Sequence, residues 1–177
     1  MGYSKLERNL IDLMKEEQAK LGYRKEAVRL YYPLSSLNHL FEAEDSVDAM
    51  QERLIHFPED MTAKLGMLTV THKGDRFCFR IPEEGSEYVH EHMGANEFIK
   101  ELVELLWQHG TTMEQIRALF DRHADGVICE NIDNGEFDYL LRFPESVGDP
   151  YYYCFKNEGC HIIYHRFLPE DYADFDF

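Results

Sequence analysis

The chain is expected to form one α+β domain in which antiparallel hairpins and a β-meander pack against several helices on one side. Three observations point there. Apolar stripes at helical spacing mark the start and the middle of the chain. Residues 66–81 alternate around a Lys-Gly turn. The last third breaks into short alternating runs separated by Asn-Gly and Glu-Gly pairs. At 177 residues a single domain over 1–177 is long enough to bury about 70% of the surface its unfolded chain exposes. No repeat, low-complexity run or linker divides it.

The elements follow in order. Ser4-x-x-Glu7 has the form of a capping box. Leu6, Leu10, Leu13, Glu17 and Leu21 share one helix face, and Gly22 supplies a left-handed stop. Val28, Leu30 and Tyr32 alternate with Arg29 and Tyr31 in a strand ended by Pro33. A short helix follows over 35–41, then a longer one over 46–57 with Val47, Met50, Leu54 and Phe57 inward before Pro58. With Lys73-Gly74 as a two-residue loop, Val70 faces Phe77 and Leu68 faces Phe79, which puts the apolar pairs on one face. Residues 96–109 form a helix with Phe98, Leu102, Leu105 and Leu106 inward. Thr112 with Gln115 caps the next helix, which ends near His123 with Ile116, Leu119 and Phe120 as its stripe. Strands over 127–132, 136–143, 151–155 and 161–167 make the meander, turning at Asn134-Gly135 and at 157–159, and a helical stub over 169–172 closes it. Phe137, Tyr139, Leu141 and Phe143 are expected on one face of the second strand.

Composition limits function. Thirty-four acids against 18 bases leave a net charge of −16, which excludes nucleic acid and anionic membranes as partners that need basic surfaces. Residues 124–177 hold 12 of the acids and 3 of the bases, so the excess concentrates in the last third. That concentration reads as a solvated surface or as an acidic face for a basic protein. No apolar run approaches the roughly 18 residues a membrane helix needs. The N-terminus has no apolar signal core, so the expected location is the cytoplasm. Cys78, Cys129, Cys154 and Cys160 form no C-x-x-C pair and no zinc-like spacing. They are expected to be free thiols, mostly buried, with none beside a basic cluster.

Candidate sites are few. If 88–92 is a strand, His90 and His92 point to one face about 6–7 Å apart, a spacing at which two imidazoles share an ion. The cupin pattern also needs an acid a few residues on and a third histidine; Glu97 has a suitable offset but falls at a helix start, and the glycine–proline framework is missing, so the expectation is no metal there and no cofactor. His161 and His165 share a strand face but lie about 13 Å apart. Tyr151, Tyr153, His161, His165 and Arg166 could line a ligand pocket on the last two strands, against the plainer reading of a cross-strand aromatic stack. There is no G-x-S-x-G, no P-loop and no G-x-G-x-x-G.

Two segments, Arg29-Leu30-Tyr31-Tyr32-Pro33-Leu34-Ser35-Ser36-Leu37-Asn38-His39-Leu40 and the stretch from Tyr151-Tyr152-Tyr153-Cys154-Phe155 through Tyr164-His165-Arg166-Phe167 to Asp171-Tyr172, resemble a domain-of-unknown-function family of Firmicutes from gut clostridia. The resemblance covers most of the chain and implies a small bacterial cytosolic protein, with no activity attached. On the residues alone the leading reading is a non-enzymatic, acidic, cytosolic protein-binding domain. The alternative is a small-molecule or metal-binding protein, enzymes included, that uses His90/His92 or the Tyr153/His165 surface. Oligomeric state is left open.

Overall fold

The computed structural model describes residues 2–175. Met1 lies outside them, as do Asp176 and Phe177, which end the acidic stretch 124–177. The described residues form an α+β structure with eight helices and two antiparallel sheets. Contacts group the chain into two compact units, Met1–Asn96 and Glu97–Phe177.

The first unit runs α1 (Ser4–Leu21), β1 (Val28–Pro33), α2 (Leu34–Phe41), α3 (Val47–Arg53), α4 (Phe57–Leu65), β2 (Thr69–Lys73), β3 (Arg76–Ile81) and α5 (Glu83–His92). Its sheet has the order β1-β3-β2, so β2 is an edge. Leu6, Leu10 and Met14 of α1 pack into one core with Leu30, Tyr32, Phe57, Phe77 and Phe79. Within that core the Tyr32 hydroxyl donates to Asn9 Oδ1 at 2.6 Å, so both polar groups are satisfied where water cannot reach.

Five expectations change here. Ser4 lies inside α1 and the preceding Tyr3 is its N-cap with no side-chain cap bond, so the capping box does not form. The buried stripe moves to Met14 and leaves Glu17 and Leu21 exposed. The helix expected over 46–57 is two helices, α3 and α4, because Pro58 sits in the first turn of α4, where its missing N–H costs nothing. The hairpin of β2 and β3 keeps its expected faces but pairs Val70 with Phe79 and His72 with Phe77. Its loop is Gly74-Asp75, with Gly74 at φ 59°, the first central position where a II′ turn needs glycine. Finally, 88–92 is the end of helix α5, with Pro82 as its N-cap.

The second unit runs α6 (Glu97–Leu106), α7 (Met113–His123), β4 (Ile128–Asn131), β5 (Tyr139–Arg142), β6 (Tyr152–Asn157), β7 (Ile162–Phe167) and α8 (Pro169–Ala173). The strands pair in sequence order as an antiparallel meander. The capping box of Thr112 and Gln115 forms as expected. In α6 the buried residues are Phe98, Ile99, Leu102 and Val103, so the stripe is rotated away from Leu105 and Leu106. The helices do not all lie on one side: Phe98 of α6 and Phe120 of α7 meet the Tyr153 ring, whereas Tyr172 of α8 meets Tyr152 and Phe167 on the opposite face. Phe137 also departs from its expected face. Asn134 Oδ1 accepts the Phe137 N–H at 2.7 Å and curls the chain before β5 begins, so Phe137 joins Leu140 and Cys154.

Candidate functional site

The register of β6 against β7 decides what shares a surface. Tyr153 lies opposite Arg166 and Phe155 opposite Tyr164, on the face covered by α6 and α7. Tyr152 lies opposite Phe167 and Cys154 opposite His165, on the other face.

On the covered face Tyr153 is fully buried and Tyr151 nearly so. The Tyr153 phenol donates to Asp149 Oδ2 at 2.7 Å, and Asp149 Oδ1 accepts the Tyr151 N–H at 2.9 Å. The Arg166 guanidinium lies 4.0 Å from the Tyr151 ring centroid and also hydrogen-bonds the Tyr153 phenol. Burial first, and the Asp149 carboxylate second, push the Tyr153 hydroxyl well above its ordinary pKa. Tyr151, Tyr153 and Arg166 are therefore brought together, as a closed aromatic and polar cluster that fixes the Asp149 loop.

The two histidines are elsewhere. His165 is exposed on the opposite face, with its ring against Phe137 and Phe167. His161 precedes β7 in the exposed turn, where its Nε2 is 3.0 Å from Glu158 Oε2 and its Nδ1 is 3.1 Å from Cys160 Sγ. Glu158-Gly159-Cys160-His161 places an acid, a thiol and an imidazole within one turn, a contact that motif spacing alone does not single out. All four cysteines are free thiols, but the expectation that most are buried is not met: Cys154 is buried, Cys78 and Cys129 are half-buried, and Cys160 is exposed.

His90 and His92 do not share a strand face. Two positions apart on α5 they point in divergent directions: His90 stacks on Tyr23 at 4.1 Å, and His92 stacks on Tyr88 at 4.6 Å. Among the described residues no group of three or more His, Cys, Asp or Glu is placed to hold a metal ion. Two shallow grooves lie away from all of these residues. One of about 360 Å³ is lined by Leu54, Ile55, Pro58, Val70 and Phe77 beside edge strand β2. The other, of about 330 Å³, lies between α6 and α7 and is lined by Glu101, Leu105 and Arg122.

The outer face of the four-stranded sheet is the more distinctive surface. Phe137, Leu140 and Cys154 form its buried floor, and Ile132, Tyr152, Phe167 and Tyr172 are half-buried around them. Phe175, with its ring 5.1 Å from Phe167, is 50% exposed, and Ile163 is 37% exposed. Arg142 lies over the Tyr152 ring. Of the nearby acids, Glu130 acts on the Tyr172 hydroxyl, Glu136 precedes Phe137 in the chain, and Glu170 lies in the first turn of α8. Burial first, with the Glu130 charge contributing, raises the Tyr172 pKa.

Fold and surface together define an acidic α+β protein built on two antiparallel sheets, one of which keeps a half-covered aromatic face. No helix among the described residues is long and apolar enough to cross a membrane. The chain belongs to DUF3877, a domain of unknown function described from E. rectale, whose family model matches residues 3–175. This agrees with the resemblance carried by the segments at 29–40 and 151–172. Comparison with curated proteins and with solved structures finds no match.

Proposed function

We propose that this protein is a non-enzymatic protein-binding domain of the bacterial cytoplasm, and that the outer face of β4–β7 receives a basic segment of another protein. The observation that supports this is the half-buried aromatic cluster of Tyr152, Phe167 and Tyr172, continued by exposed Phe175 and Ile163, with Glu130 acting on Tyr172 and Glu136 and Glu170 close to the cluster in the chain. Aromatic rings supply contact area at low entropic cost, and a charged rim steers a partner of opposite sign. The concentration of 12 acids against 3 bases over 124–177 selects a basic partner and repels phosphate backbones. Four free cysteines accord with a reducing compartment. The small-molecule or metal-binding alternative draws on His90 with His92 or on Tyr153 with His165; the first two stack on different tyrosines and the second two lie on opposite faces, which favours the docking reading over it.

Affinity capture at low and high salt tests the reading, comparing the native chain with a Glu130→Gln, Glu136→Gln, Glu170→Gln variant and with an Ile163→Ser, Phe175→Ser variant. The expected result is a basic protein retained by the native chain, lost from both variants, and released once the Debye length falls well below about 10 Å. Retention of the same proteins by all three chains would make the acidic face a solubility feature only.

A further inference from the structure

The turn between β6 and β7 holds a nucleophile, a base and an acid in line, independently of the docking face. Its backbone is closed by the Glu158 N–H donating to the His161 carbonyl at 3.0 Å and the Cys160 N–H donating to the Glu158 carbonyl at 3.2 Å. Gly159, at φ 89°, donates its N–H to Asn157 Oδ1 at 2.9 Å. That frame sets Cys160 Sγ 3.1 Å from His161 Nδ1 and His161 Nε2 3.0 Å from Glu158 Oε2. A carboxylate offers only acceptors, so Nε2 carries the ring proton and donates to Glu158. In the neutral ring Nδ1 then holds the lone pair, and the Cys160 thiol donates to it. A nucleophile bonded to a base, with the base oriented by a third group, is the arrangement that activates thiols.

We propose that Cys160 is a reactive thiol and the site at which this protein forms mixed disulfides with low-molecular-weight disulfides. His161 takes the thiol proton, and Glu158 stabilises the imidazolium that results. The Cys160 thiolate attacks one sulfur of the small disulfide, a bond forms between Cys160 and that sulfur, and the original S–S bond breaks. The departing thiolate takes the proton from His161 and leaves as a free thiol, so the exchange balances without another oxidant. Attack needs an open approach, and Cys160 is exposed together with both of its partners. Cys154 marks the contrast: it is fully buried, and burial pushes its thiol up to about 12.

The test treats the full-length native protein at neutral pH with oxidised glutathione and follows each cysteine by peptide mass mapping. Cys160 is expected to form the mixed disulfide first, and about tenfold faster than the same cysteine in the urea-unfolded chain. His161→Gln should lower the native rate about tenfold and Glu158→Gln about threefold, with the unfolding midpoint unchanged in both. A Cys160 rate equal in native and unfolded chains, or one that neither substitution lowers, would overturn the proposal.

Discussion

Tyr153 and His165 stand on opposite faces of the four-stranded sheet, Tyr153 across from Arg166 and His165 across from Cys154. The tyrosine is sealed under α6 and α7 with its hydroxyl on Asp149, and the histidine is in solvent. Their substitutions should therefore separate. Tyr153→Phe leaves Asp149 short of a donor and is expected to cost about 1–2 kcal/mol. His165→Ala should stay within about 0.5 kcal/mol of the native chain. Urea unfolding measures both, and equal losses would contradict this placement.

Gly85 is needed for its size. A Cβ built there would stand 2.4 Å from the Leu65 carbonyl oxygen and 2.5 Å from Ile81 Cγ2, where α5 crosses the end of α4. Backbone oxygen cannot swing aside, so Gly85→Ala is expected to lose about 1–3 kcal/mol by forced separation of the two helices. A lowered urea midpoint is the readout, and an unchanged one would mean that the crossing is looser than described.

Asp138 ties stability to pH. Its carboxylate accepts the Asn157 N–H at 2.8 Å and the Lys156 ammonium at 3.2 Å. The Asn157 bond first, and Lys156 after it, hold the Asp138 pKa below its ordinary value. A depressed carboxyl pKa adds stability that is fully present above the unfolded value of about 3.9 and is lost as pH falls through the folded value. The stability gap between the native chain and Asp138→Asn should be full at neutral pH and narrow steadily below about pH 4. A gap that stays constant into acid would show that the charge contributes nothing.

Thiol accessibility follows burial. In the folded protein Cys154, fully buried and with its thiol raised to about 12, should resist alkylation. Titration in denaturant should find all four thiols. Fast native labelling of Cys154 would mean that the cover of Tyr172 and Phe167 opens readily.

Much of this architecture is legible in residue pattern, and what is not has identifiable causes. Alternation placed Val70, Phe77 and Phe79 on one face, because the two-residue period holds under any even shift of register. The shift itself depends on which central position of the turn Gly74 occupies, and both options fit the sequence. Helix α5 was masked because Tyr88, His90 and His92 alternate like a strand, while its buried residues Gly85, Ser86 and Val89 are small and give a weak apolar signal. Pro58 stops a helix when read from its N-terminal side and starts one when read from the other. The candidate pocket split for a similar reason. Each strand's alternation was visible, but pairing Tyr153 with Arg166 rather than with His165 is set by the length of the 158–161 turn. The Cys160–His161 contact depends on side-chain rotamers at that turn, which residue spacing does not encode.

The docking face is tested most directly by its footprint. Hydrogen–deuterium exchange of the native chain, alone and with the basic partner recovered by capture, should show added protection over 162–175, the stretch of β7, α8 and the two residues after it that carries Ile163, Phe167, Tyr172 and Phe175. The protection should fade as salt is raised. Protection confined to residues 4–92, or to α6 and α7, with 162–175 unchanged, would contradict the account.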